Sequence, residues 1–243
     1  MKRSESTAKY TADTADDASM SASRRVYQQL RHRIVTMVML PGERVSEKLI
    51  ADELGISRTP VHEAVQRLAE EGLIEIVPRS GTFVARIPLD TLEETMLVRT
   101  ALELAIIVKA AERATTEGIS RLRKILKTQA ACIKANDKKG FHQTDEDFHA
   151  TLVELSGFTG VWPMILQAKT QIDRYRQLTL PVPGRMHDVL TEHQRVFAAV
   201  EARDPEMARQ AMQNHLDHVL PLLEETRQIQ PDYFVPGSGR AKR

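Results

Sequence analysis

This sequence predicts a mainly α-helical protein of two domains with one small β-hairpin, and three observations lead there. Apolar residues recur at helical spacing through most of residues 24–228. Only around Pro78-Arg79-Ser80-Gly81 does the pattern switch to alternation, with Ile74 and Ile76 flanking Glu75 and a return run from Thr82 to Arg86. The breaks between helical segments are clusters of Gly, Pro, Asn and Asp, each of them turn chemistry.

In chain order, residues 1–23 are rich in Ser, Thr, Ala and Asp without a period, which predicts a disordered tail. Val26, Leu30, Ile34, Met37 and Val38 mark a first helix ending before Pro41-Gly42. Ser46 is placed to cap a second helix, whose apolar face is expected to carry Leu49, Ile50 and Leu54. Gly55 ends it, since a left-handed residue after the last turn carries no Cβ penalty when it is glycine. Ser57 caps the next helix, and Pro60 falls in a first turn that needs no intrahelical N–H. Val61, Val65 and Leu68 are its buried stripe, and Gly72 stops it.

Two short helices joined by Leu54-Gly55-Ile56-Ser57 make a helix-turn-helix, and the hairpin behind them makes it winged. Arg58, Thr59, His62 and Gln66 lie opposite the buried stripe. The leading turn from Ser57 is therefore the part expected to meet base edges and phosphates of duplex DNA. Arg79 at the wing tip suits a minor groove or a phosphate. Residues 24–87 form this domain.

From residue 88 to 228 the pattern predicts an all-α six-helix bundle, with segments near 90–115, 119–136, 139–156, 160–180, 186–203 and 205–228. The second and last carry mixed charged faces, which predicts peripheral positions. Residues 229–243 read as a flexible tail.

Asp145 and His149 stand four apart, one turn apart on one helical face. His193 and His215 lie in later segments. One carboxylate and three imidazoles from facing helices suit Zn, Ni, Mn or Fe; the same residues also serve as ordinary hydrogen-bonded core groups in many bundles. Arg99, in an otherwise apolar stretch, is a candidate clamp for a small carboxylate beside such a metal, or else the partner of Glu103 at i+4. Arg174, Tyr175 and Arg176 are further pocket candidates, or members of an exposed face. His142, His187 and His218 read as surface residues.

The chain of 243 residues, 42% hydrophobic and 28% charged, has the composition of a globular protein. Its net charge of +1 does not advertise nucleic-acid binding, and residues 24–87 hold ten Arg/Lys against eight Asp/Glu. Charge placement has to supply the basic face. Cys132, the only cysteine, is expected to be a buried, inert thiol. No apolar run is long enough for a membrane span, and the first residues lack the apolar core of a signal peptide, so a cytoplasmic setting is expected.

Leu40-Pro41-Gly42, Glu47, Leu54 to Val61, Arg67-Leu68 and Glu71 to Ile74 resemble the winged helix-turn-helix of GntR-type bacterial transcription regulators. The resemblance implies DNA contacts from Lys48, Arg58, Thr59 and the position of His62, with the wing tip from Arg79 to Gly81. His62 departs from the commoner Arg or Gln, and Ser80 stands where a second wing arginine is frequent. Asp145, Phe148, His149 and Leu152, then Glu192-His193, Arg203-Asp204-Pro205 and Ala208, Met212, His215 and Leu216, resemble the helical FCD-type ligand-binding domain of one subgroup. That likeness implies a divalent metal held by Asp145, His149, His193 and His215.

The function expected is a homodimeric regulator, a repressor in the first instance, on an inverted-repeat operator, released by a small organic acid near the metal. It is not expected to be an enzyme: a metal-dependent hydrolase with a DNA-docking arm is the alternative, but no nucleophile motif such as G-x-S-x-G appears. A dimeric DNA binder that senses nothing is the other alternative.

Overall fold

The computed structural model describes residues 20–221, 226, 228 and 230–235. Internal contacts divide it into two compact units. One holds the residues up to Ile34 with Glu43–Ala85, the other Val35–Gly42 with Arg86 onward.

In the first unit α1 (Ala22–Val35) lays Val26, Leu30 and Ile34 into the core. The expected tail at 1–23 therefore gives way to helix at Ala22, and residues 1–19 lie outside the described residues. Met37 and Val38 fall beyond the helix, and Val38 is exposed.

The helix-turn-helix is α2 (Glu47–Leu54) and α3 (Arg58–Glu70). Ser46 Oγ accepts the Leu49 amide at 3.3 Å, satisfying one donor that the first turn of α2 leaves open. Gly55 follows with φ 65°, and a Cβ there would meet nothing, so the conformation alone calls for glycine. Val61, Val65 and Leu68 of α3 are fully buried as the spacing predicts. Leu49 and Leu54 are not: both are exposed, and α2 turns Ile50 and Ala51 inward. The small Ala51 lets α2 approach α3 along that face, rotated from the one the larger residues suggested.

Strands β1 (Arg44–Val45), β2 (Ile74–Val77) and β3 (Gly81–Val84) form an antiparallel sheet in the order β1-β3-β2. Pairing Ile74 with Val84 and Val77 with Gly81 leaves Pro78-Arg79-Ser80 as the tip. Arg79 takes φ 63° there, and the Ser80 amide donates to the Val77 carbonyl.

The second unit contains six helices among its described residues: α4 (Leu89–Arg113), α5 (Thr116–Lys134), α6 (Lys138–Ser156), α7 (Trp162–Thr179), α8 (Arg185–Glu201) and α9 (Pro205–Asp217). Thr115, Asp137 and Asp204 cap α5, α6 and α9 through their side-chain oxygens. Neighbours α5 and α6 pack tightly because position 118 is glycine: a Cβ there would stand 2.1 Å from Leu155 Cδ2. α4 runs through the middle against α6, α7, α8 and α9, and the core is built on Leu92, Ile107, Phe148, Ile172, Val196 and Met212.

Three expectations need correction. The last segment does not run as one helix from 205 to 228: α9 ends at Asp217, because Pro221 has no N–H for a helical bond to the Asp217 carbonyl. Neither α5 nor α9 is merely peripheral; behind their charged faces they bury Leu122, Leu126, Met212 and Leu216. The expected loose tail from 229 includes an ordered piece. Phe234–Val235 forms β5, which pairs in parallel with β4 (Ile87–Pro88), with Phe234 buried and Arg86 Nε donating to the Asp232 carbonyl at 2.9 Å. Phe234, with Tyr233 packed beside the core, anchors a stretch that has no periodic pattern. Residues 236–243 lie outside the described residues.

Candidate functional sites: a nucleic-acid face and a three-histidine centre

In the first unit Lys48, Ser57, Arg58, Thr59, His62, Gln66 and Arg79 are all exposed, and Gly81 is half-buried. Ser57 takes the extended backbone of a cap residue, but its hydroxyl accepts no capping bond. It therefore stands beside Arg58 and Thr59 at the positive end of a 13-residue helix, where an anion is favoured. His62 Nδ1 lies 3.1 Å from Glu47 Oε1, so the imidazole is tethered across the turn to α2. Sequence reasoning missed Arg44: its guanidinium lies along the wing strand, with Nε 3.4 Å from where a Cβ on Gly81 would stand. Alternation on a two-residue strand is too short a signal to show which way Arg44 points.

The second unit gathers its polar residues at the centre of the bundle. Arg99 and Glu103 come from α4, Gln129 from α5, Asp145 and His149 from α6, Arg176 from α7, Glu192 and His193 from α8, and His215 from α9; every one is buried. One ring nitrogen from each of His149, His193 and His215 lies within 4.8 Å of the other two.

Two of the opposite nitrogens are hydrogen-bonded, and the third, on His149, faces a carboxylate without a hydrogen bond among the described residues. His149 Nδ1 is 2.5 Å from Glu103 Oε2, His193 Nδ1 is 3.0 Å from Gln129 Oε1, and His215 Nδ1 is 2.8 Å from Glu192 Oε2. Acceptors on Nδ1 of His193 and His215 select the Nδ1–H tautomer there, and the Glu103 carboxylate beside Nδ1 of His149 favours the same form, which turns the Nε2 lone pairs inward. Two of these, on His149 and His215, confront each other at 3.3 Å. His193 Nε2 has no hydrogen-bond partner among the described residues. Three converging imidazole nitrogens, approached by an N–H among the described residues only through a long contact from Arg99 Nη2, suit a cation, and this donor set fits a divalent metal ion.

Burial pushes His215 down to about 4 against the pull of Glu192, and pushes His193 well below its ordinary value, helped by His215. Both rings are thus held neutral, the form that binds a metal.

Asp145 reaches the centre differently. Its Oδ1 is 3.5 Å from His193 Nε2, yet both oxygens are gripped by Arg176: Nη2 donates to Oδ1 at 2.6 Å and Nη1 donates to Oδ2. Burial alone would raise this carboxyl, but the Arg176 charge and hydrogen bonds hold it well below the usual range. Arg99 pairs with Glu103 and also reaches the histidines. Nε donates to Glu103 Oε1 at 2.5 Å, Nη2 lies 3.4 Å from His149 Nε2, and Nη1 has no hydrogen-bond partner among the described residues. Burial would raise Glu103 too, but Arg99 and then His149 bring it below the ordinary carboxylate range.

Arg174, expected near the pocket, donates instead to Gln171 on its own helix, and burial lowers it to about 10. Two residues from Arg176, it leaves α7 on a different side. His142, read as a surface residue, is buried; spaced three before Asp145 and seven before His149, it shares their inward face. Cys132 is buried and its thiol is pushed up by burial, as expected of an inert group. Among the described residues no helix is long and apolar enough to cross a membrane.

Two family patterns match the chain: "Bacterial regulatory proteins, gntR family" over residues 22–84 and "FCD domain" over residues 94–218. An HTH-type transcriptional regulator in an unstable DNA locus of Streptomyces ambofaciens is 34% identical over 212 residues, covering 87% of this chain and 89% of the relative. The HTH-type transcriptional repressor RspR of Escherichia coli (strain K12) is 29% identical, covering 92% of this chain and 98% of its own. Among solved structures, E. coli McbR/YncC matches with a TM-score of 0.74 at 22% identity, over 85% of this chain and 98% of that one. A GntR transcriptional regulator from Rhodococcus sp. RHA1 matches with a TM-score of 0.69 at 26% identity, over 88% of this chain and all of that one. These relatives are regulators rather than enzymes, so the hydrolase alternative is set aside.

Proposed function

We propose a mechanism for a chain that belongs to the GntR family of bacterial regulatory proteins and carries an FCD domain: it is a DNA-binding transcription regulator whose operator affinity is set by a small carboxylate bound beside a metal ion in the helical unit. The observation that carries the sensing half is the buried convergence of His149, His193 and His215, with His193 and His215 hydrogen-bonded to Gln129 and Glu192 and His149 paired with Glu103. A core built only for stability gains little from three buried imidazoles, since well-packed apolar residues are as good or better.

On DNA, Arg58, Thr59 and His62 read the major groove, Arg79 and Gly81 approach the neighbouring backbone or minor groove, and Lys48 adds salt-dependent affinity. Ser57 offers its hydroxyl and amide to a phosphate. Two copies act on an inverted repeat as a homodimer, in the cytoplasm, and Leu97 and Val98, exposed apolar residues of α4, support that pairing. The printed name of RspR supports repression as the sign.

When bound, Zn, Ni, Mn or Fe supplies open coordination positions that a carboxylate can fill. His149, His193, His215 and Asp145 hold the ion, and Arg99 Nη1 offers a hydrogen bond to the carboxylate. Such a ligand releases the operator by as much as its affinity differs between the two states, about 1.4 kcal/mol for each tenfold.

The test is a fluorescence-anisotropy titration on DNA from around the protein's own gene, with and without a carboxylate panel. Tight binding to one inverted repeat, weakened at least tenfold by one acid, is expected. Equal affinity for scrambled DNA refutes the regulator reading. Specific binding that no acid alters favours the dimeric binder that senses nothing.

A further inference from the structure

We propose that Arg176 is an exchangeable counter-ion, holding Asp145 in the metal-free protein and turning to an anionic ligand when Asp145 turns to a metal ion, so that metal and anion bind cooperatively. This rests on the reading of the bundle as a metal-and-carboxylate sensor, and it adds the coupling between the two.

The first argument is charge. The buried centre is balanced as it stands: Arg99 is paired with Glu103, Arg176 with Asp145, and Lys169 with Asp173 at 2.9 Å. Glu192 faces Arg185 at 3.2 Å. A divalent ion among neutral imidazoles adds two positive charges to a region removed from water. Half-buried Glu146, on the side toward Lys169, is a further acid near these pairs, and its single charge leaves an excess of positive charge. Uncompensated charge in such a place is costly, and an incoming anion relieves it.

The second argument is geometric. Asp145 Oδ1 is the oxygen nearest the imidazoles, 3.5 Å from His193 Nε2, and it is also the oxygen that Arg176 Nη2 holds at 2.6 Å. Sharing Oδ1 with a cation weakens that bond, while Nη1 keeps its hold on Oδ2. Arg176 then presents a weakly engaged N–H next to the open coordination positions. A carboxylate is placed to bridge the two, one oxygen toward each. Neither Arg99 nor Arg174 is set up for this exchange, since neither is hydrogen-bonded to a carboxylate of the metal-binding set.

The experiment uses the full chain, Co²⁺ as the metal and acetate as the anion. Acetate affinity is measured by calorimetry on chelator-treated and on Co²⁺-loaded protein, and the visible Co²⁺ bands report occupancy. Acetate should bind at least tenfold more tightly to the loaded protein, and by reciprocity Co²⁺ should bind tighter in acetate by the same factor. Arg176→Gln should bring that factor to within twofold of one. Arg176→Lys keeps the charge without the paired nitrogens and should lower the factor at least threefold; it decides the question if the Gln variant does not fold. Co²⁺ bands with equal acetate affinity in both states overturn the coupling alone and leave operator regulation standing. Coupling unchanged in the Lys variant overturns the role of Arg176. Absence of Co²⁺ bands overturns the metal reading and this inference together.

Discussion

Replacing Gln129 by Leu tests whether the bundle centre is a metal site or only a satisfied polar core. Gln129 touches no metal in any reading; its Oε1 accepts from His193 Nδ1 at 3.0 Å, and that bond keeps the proton off Nε2. Leucine has a similar bulk and no acceptor, so His193 Nδ1 loses its partner inside a closed core. Two effects follow. Stability falls by about 1–3 kcal/mol, the usual cost of leaving a buried donor unsatisfied. Independently, His193 can carry its proton on Nε2, pointing at the place where a cation has to sit. Losing such an outer hydrogen bond weakens metal binding by roughly 10–100-fold. Gln129→Glu keeps an acceptor at the same place and should hold metal affinity within a few-fold of wild type. The assay is competition with a chromophoric chelator, with thermal unfolding of the metal-free variants alongside. Equal metal affinity for wild type and Gln129→Leu, at measurably lower stability, would refute the outer-shell argument and return Gln129 to the ordinary core.

The other expectations are simpler. Arg58→Ala should weaken operator binding by about 1–3 kcal/mol if it reads a base, and should lower the slope of log affinity against log salt by about one if it meets a phosphate; an anisotropy series from low to high salt separates these outcomes. Gly55→Ala should destabilise the first unit by about 1 kcal/mol, because alanine has to adopt φ 65° although space is open around it, and denaturant unfolding reads this directly. Leu49→Ser should change stability by less than about 0.5 kcal/mol, since Leu49 is 68% exposed, whereas Ile50→Ser next to it should cost several times more. Leu97→Glu should leave the fold intact and shift sedimentation toward monomer, with operator affinity falling in parallel.

The helix-turn-helix could be read from the chain because its signals are local. Ser46, Gly55, Pro60 and Gly72 each act on the backbone within a turn of themselves, and local physics leaves little choice at such positions. The inward ring of the bundle was legible in part for a similar reason: Asp145 and His149 are neighbours on one helix by spacing alone. The partners that give the ring its chemistry were harder to see. Gln129 meets His193 across 64 positions, and Arg176 meets Asp145 across 31. No periodicity links such pairs, because the register between helices is set by packing, such as the contact of α5 with α6 at Gly118 and Leu155.

The same physics governs the three candidate arginines. Arg99, Arg174 and Arg176 are equivalent in composition and all buried, so burial does not rank them. What separates them is the partner each helix face happens to meet: Glu103 for Arg99, Gln171 for Arg174, and for Arg176 a carboxylate that also lies 3.5 Å from His193 Nε2. An arginine held by an amide has nothing to release when a cation arrives nearby. One held by a potential metal ligand does, and its hydrogen bonds weaken as the carboxylate is shared. Ligand response in this bundle is therefore expected to be most sensitive to substitution at Arg176, although its sequence neighbourhood distinguishes it least.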